Sequence, residues 1–156
     1  PFYCSSFMME EQLLQQWDFP GGTFEGFIPW ATTLNNPAQQ LFMETIRKEK
    51  NKTATIFHLI GWEAAIVAAR ILENTGTPAD ALNSWSYESP RGTQTVHPET
   101  HYTYGLLYAA SIVEGENGKC ALEVKESVAA DASRQAMLLK NFPENSSDWK
   151  NNYLCI

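Results

Sequence analysis

Segments with the apolar spacing of strands and of helices alternate along this chain, and that order constrains its fold more than any other feature. Phe2-Tyr3-Cys4 reads as a short buried strand. Met8 to Trp17 reads as a helix, because Met9, Leu13 and Trp17 recur at i, i+4 and i+8. After the turn Pro20-Gly21-Gly22, Phe24, Gly26 and Ile28 alternate with Thr23, Glu25 and Phe27, a strand pattern that Pro29-Trp30 ends. Asn36 is a helix cap and Pro37 follows at the first helical position, where its missing N–H costs nothing. That helix is expected to run to about Lys50 with Leu41, Phe42, Thr45 and Ile46 inward. A longer helix is expected from about Thr55 to Asn74, with Ile60, Ala64, Val67 and Ile71 on one stripe and Gly76 as the stop. Its small residues Ala64, Ala65, Ala68 and Ala69 permit close packing against a neighbour. Thr77-Pro78 opens a short helix to Asn83. Strands are expected around 94–96 and 102–112, and Glu114-Gly115-Glu116-Asn117-Gly118 has the composition of a hairpin turn. Residues 121–139 are Ala-rich and read as partly helical, and 141–156 as an irregular tail. This order argues for an α/β fold with a mainly parallel sheet.

Composition removes several classes. The 156 residues hold one core or two small ones. No apolar run approaches the roughly 20 residues needed to span a bilayer. The longest, Ile56 to Leu72, is interrupted by His58, Glu63 and Arg70. The chain begins at Pro1 without a charged-then-apolar leader, which says nothing about export. A net charge of −7 argues against nucleic acid, whose phosphates need a basic surface. The densest basic run, Arg47-Lys48-Glu49-Lys50-Asn51-Lys52, reads as a solvated helix end favoured by the macrodipole. Cys4, Cys120 and Cys155 are too far apart for a redox or zinc motif, and a Cys120–Cys155 bridge would tie down the tail. Asn51-Lys52-Thr53 and Asn145-Ser146-Ser147 match the glycosylation acceptor triplet, which matters only in a eukaryotic secretory pathway.

His97 and His101 have metal-ligand spacing with Glu99 between them. Pro98 and the absence of apolar periodicity make that segment a loop, and the order His-Glu-x-x-His is lacking. No metal or cofactor is expected. Ser5-Ser6 follows a strand, as a nucleophile would, with His58 or His101 as base; no Gly-x-Ser-x-Gly turn or recognisable oxyanion loop supports it. No enzyme activity is expected, and no glycine-rich phosphate loop is present. Trp30 and Trp62 stand at element ends, where open sheets place ligand contacts; the plainer reading puts each in the core.

Four segments occur in a fixed order: Gly61-Trp62-Glu63-Ala64, Tyr87-Glu88-Ser89-Pro90-Arg91-Gly92, Val96-His97-Pro98-Glu99-Thr100-His101 and Leu107-Tyr108-Ala109-Ala110-Ser111-Ile112. Together they resemble the last third of a type I periplasmic solute-binding protein of the branched-chain amino acid (Leu/Ile/Val) family. There a Gly-Tyr-Asp-Ala helix leads to a Ser-Pro-Arg-Gly turn, an Asp-Pro-Glu-Thr-His turn and a final strand. Here Trp62 stands for Tyr, Glu63 for Asp, and His97 for the Asp before proline. The resemblance covers Phe2 to Ile112 and implies a two-lobed protein with Rossmann-like parallel sheets, present here as a C-terminal fragment. It implies that 1–54 form part of the second lobe, 55–88 the helices returning to the first, 89–116 the closing strands and hinge, and 117–156 an atypical tail. It further implies an extracytoplasmic solute-binding protein of an ABC-type importer, periplasmic or extracellular, which takes a small amino acid, amide or related solute between its lobes and docks on a membrane permease or sensor. The same fold also serves ligand-sensing ectodomains and regulatory modules, and the unusual tail favours that alternative.

The resemblance places Trp62 and Glu63 at the cleft, with Ser5, Ser6 and Phe7 in the loop after the first strand; Trp30 completes the candidate ligand-binding set. An indole offers a broad apolar face and a single N–H donor. Arg91 is expected to pin its own turn by bonding backbone carbonyls or a nearby acid, with a ligand-carboxylate clamp as the other reading. A fragment of a two-lobed protein leaves sheet edges and apolar faces uncovered, so pairing with another copy or with further chain is expected.

Overall fold

The computed structural model describes residues 1–100, 102–129 and 131–141. Strand β1 (Phe2–Cys4) is followed by a 3-10 turn over Ser6–Met9 and the single-turn helix α1 (Glu11–Leu14). Strand β2 (Phe24–Ile28) precedes helices α2 (Pro37–Lys50), α3 (Ile56–Glu73) and α4 (Pro78–Leu82). Four strands follow, β3 (Ser86–Ser89), β4 (Gly92–Val96), β5 (Thr103–Tyr104) and β6 (Leu106–Glu114). The last elements are β7 (Cys120–Ala129) and α5 (Ala132–Asn141).

The α/β class is as expected, and the pairing is mixed. One sheet has the order β1-β2-β6-β7 and the other β3-β4-β5. Among the described residues the β1–β2 ladder is parallel, with Phe2 opposite Phe24 and Cys4 opposite Gly26. The β2–β6 and β6–β7 ladders are antiparallel. A hairpin loop can join only antiparallel neighbours, and residues 115–119 supply one between β6 and β7. The expected turn there holds, with Asn117 and Gly118 at positive φ.

Helix starts follow the capping chemistry. Asn36 accepts the N–H of Gln39, and Pro37 sits in the first turn of α2. Thr55 and His58 form a reciprocal capping box on α3, and Thr77 and Asp80 form another on α4. Asn51 ends α2 in the left-handed conformation, which Asn tolerates better than most residues.

Four expectations need correction. The helix over Met8–Trp17 is broken, because Glu10 takes an extended backbone and its carboxylate caps α1 instead. Leu41 and Ile60 point outward; Gln39 and Phe42 form the buried face of α2, and Leu59 that of α3. Residues 120–129 are a strand, since Cys120, Leu122 and Val124 alternate onto the core under β6. The mainly parallel sheet gives way to the mixed pairing above. His101, the Asn145 triplet, Cys155 and the tail beyond Asn141 lie outside the described residues. Cys120 is buried, with its thiol directed at the Asp18 carbonyl at 3.7 Å.

Two apolar clusters result. One joins the sheet to the 3-10 turn and α1, through Met9, Leu14, Ile28, Tyr108, Ala110 and Ile112. Gly26 is obligatory there: a Cβ would come within 2.5 Å of both the Cys4 carbonyl oxygen and the Met9 sulfur. The other cluster gathers Trp30, Phe42, Ala54 and Leu59, with Trp62 packed against it.

Candidate functional site

The parallel pair β1–β2 sends both carboxyl ends to one edge of its sheet. Crevices outside such ends are where open α/β sheets bind ligands. Here the 3-10 turn after β1 brings Ser6 and Phe7, and the exit of β2 brings Ile28, Pro29 and Trp30. The first two turns of α3 close the opposite side with Phe57, Leu59, Ile60 and Glu63. They enclose a cavity of about 280 Å³, at the small end of the range for small-molecule sites. Met9, Ile28 and Leu59 make a buried apolar floor. Phe7 and Phe57 are exposed at its mouth.

Its charged side chains are each held by at least one partner. Glu63 receives Arg91 in a two-pronged ion pair, Nε to Oε1 at 2.6 Å and an Nη to Oε2 at 2.9 Å. Ser89 Oγ also donates to Glu63 Oε1. These bonds tie α3 to the β3–β4 turn, whose Arg91 carbonyl accepts the Tyr108 hydroxyl at 2.9 Å. Arg91 thus bonds a nearby acid, as its structural reading expected, and it also lines the cavity. Glu11 takes the N–H of Thr32 at 2.8 Å and its hydroxyl at 2.7 Å. Glu10 accepts the N–H groups of Gln12 and Leu13 at 2.8 and 3.2 Å. Burial, with the Glu63 carboxylate nearby, raises the Tyr87 phenol above its ordinary value, and burial raises that of Tyr108.

Of the six candidate residues, Ser6, Phe7, Trp30 and Glu63 meet around this cavity, and Ser5 and Trp62 do not line it. Trp62 packs edge-on against Phe42 with ring centroids 5.4 Å apart. Trp30 is buried, and its indole N–H donates to Gln39 Oε1 at 2.9 Å, so only part of its ring faces the cavity. Glu10, Glu11, Met9 and Phe57 were not among the candidates. The surplus of apolar residues at the start of α3 was a signal for Phe57; nothing in the sequence marked the carboxylates. His97 spends its Nδ1 on the backbone N–H groups of Glu99 and Thr100, at 3.2 and 3.4 Å. No cluster of metal-ligating side chains occurs among the described residues.

No family model matches the chain, and no curated protein matches it in sequence. Solved structures share its fold. A solute-binding protein of an ABC transporter from Rhodopseudomonas palustris, in complex with 3,4-dihydroxybenzoic acid, superposes with a TM-score of 0.69 at 14% identity, over 85% of this chain and 38% of that one. An ABC-type branched-chain amino acid transporter protein from the same species gives 0.64 at 16% identity, over 77% of this chain and 34% of that one. The leucine-, isoleucine-, valine-, threonine- and alanine-binding protein from Brucella ovis gives 0.54 at 12% identity, over 68% and 31%. The chain therefore has the fold of the type I solute-binding proteins of ABC transporters, over well under half the length of these neighbours.

Proposed function

We propose that this chain is part of an extracytoplasmic solute-binding protein of an ABC-type importer, and that the cavity beyond β1 and β2 is one wall of its interlobe cleft. The observation that carries this reading is the placement of an apolar-floored cavity at the carboxyl ends of a parallel strand pair, faced by the start of α3. In this reading residues 1–54 supply part of the second lobe, 55–88 return to the first and 89–116 close the structure. The solute is a small amino acid, amide or related molecule, captured by burial of its apolar part and a few oriented polar groups. Lobe closure is a hinge motion, and the closed form is what a membrane permease recognises. The protein works in the periplasm or outside the cell and performs no chemistry on the solute.

A thermal-shift panel of branched-chain and aromatic amino acids, short amides and aromatic carboxylates tests this. A solute at about 100 times its Kd adds roughly 2.7 kcal/mol to the folded state. A shift by one chemical class that Met9→Trp, which fills the cavity floor, abolishes is the expected outcome. A shift that survives that substitution would place binding elsewhere and end the cavity reading.

A further inference from the structure

The charges around the cavity select among solutes. Three carboxylates line it, those of Glu10, Glu11 and Glu63, against one cation, Arg91. The guanidinium is already neutralised by both Glu63 oxygens. Glu11 is held by Thr32 through neutral donors and has no cation as partner among the described residues. Glu10 spends one oxygen on backbone N–H groups, and its Oε1 accepts no hydrogen bond among the described residues. A carboxylate solute entering here meets an excess of negative charge and no unpaired cation. An ammonium meets two carboxylates and, at the mouth, the rings of Phe7 and Phe57, whose faces attract cations. The floor of Met9, Ile28 and Leu59 offers it no polar partner, so the rest of the molecule must be apolar.

We infer that the solute is an organic cation, an ammonium group on an aromatic or branched apolar body, with the ammonium at Glu10 and Glu11. This rests on the cavity reading above and narrows its solutes to those that present an ammonium, and no carboxylate, to this wall of the cleft. It differs from the benzoic acids held by several neighbours of the same fold.

Three probes of one shape separate the two claims: benzylamine, benzyl alcohol and benzoate, titrated at matched ionic strength into the full-length protein that carries this chain and followed by calorimetry. Benzylamine is expected to bind most tightly, benzyl alcohol weakly and benzoate not at all. Glu10→Gln keeps an oxygen to cap α1 and should weaken benzylamine on the order of tenfold, leaving benzyl alcohol unchanged. Added salt should weaken benzylamine alone. Benzoate binding as well as or better than benzylamine overturns the charge assignment and leaves the cavity standing. Benzyl alcohol binding with benzylamine silent has the same meaning. Silence from all three overturns the cavity reading and this inference with it.

Discussion

The sheet and helix α3 treat their apolar residues in opposite ways. Under β2, β6 and β7, Met9, Leu14, Ile28, Ala110 and Ile112 are buried against one another. Along the 18 residues of α3 only Leu59 is fully buried, while Phe57 is 76% exposed and Leu72 85%. Composition does not separate the two regions, since α3 is rich in Ile, Leu and Ala. Partners do. The sheet finds its partners in the 3-10 turn and α1, which lie between β1 and β2 in the chain. Helix α3 meets α4 on one side, the Trp30–Phe42 cluster at its start and the β3–β4 turn through Glu63, and it leaves Phe57, Ile60 and Leu72 exposed. Exposed apolar surface of this kind is where interaction partners or ligands dock. The chain spans under two fifths of the length of the 3,4-dihydroxybenzoic acid-binding neighbour.

The largest effect should come from the closed region. Leu14→Ala removes buried methyl groups from a cluster that cannot collapse around the gap, and should cost about 2–5 kcal/mol in urea unfolding. A cost below about 1 kcal/mol would show that the sheet core is no better packed than α3.

The next effect lies at the seam between the two regions. Glu63 and Arg91 are 13% and 19% exposed at their side chains, and they join α3 to the β3–β4 turn. Glu63→Ala leaves the guanidinium and Ser89 without their acceptor and should cost about 2–3 kcal/mol. A double-mutant cycle with Arg91→Ala should return a coupling of at least about 1 kcal/mol. Additive losses would mean that the pair does not hold the regions together.

How legible each region was follows from where its signals lie along the chain. Caps are local: Asn36, read as one, begins α2, and Thr55 and Thr77, read as helix starts, cap α3 and α4. The inner faces of α2 and α3 were read in part: Phe42 is buried and Ile46 packs on its cluster as expected, but an apolar stripe shows only which side wants burial. When the expected partner is missing, Leu41 and Ile60 stay outside and the polar Gln39 goes in to meet the Trp30 indole. Strand β7 was hidden by its alanines, and only its alternation of Cys120, Leu122 and Val124 against β6 decides it. At the site, the loop after β1 and the acid at 63 were found through resemblance. Glu10 and Glu11 escaped because an acid in a helix-like stretch looks solvated until the backbone folds it over a cavity.

A smaller effect appears at high pH. Burial raises the phenols of Tyr87 and Tyr108 above their ordinary values. The folded state therefore keeps protons that the unfolded chain has lost. Stability is complete below the unfolded value of about 10 and falls as pH climbs from there toward the folded values. Tyr108→Phe should cost about 1 kcal/mol at neutral pH, by loss of its bond to the Arg91 carbonyl, and should flatten the alkaline decline. An unchanged alkaline slope in this variant would assign the decline to other groups.

The smallest effect is expected on α3 itself, and it sharpens the opening contrast most. Leu72 is the most exposed large apolar side chain of the helix. If that face meets water in solution, Leu72→Gln changes stability by no more than about 0.5 kcal/mol. Sedimentation would then show the same mass for both proteins. If another copy of the chain covers the face instead, the same substitution removes buried apolar surface from an interface. Its cost would rise to about 2 kcal/mol, stability would depend on protein concentration, and the variant would sediment as a lighter species. One change at a single exposed position thus separates a helix face that meets water from one covered by a second copy of the chain.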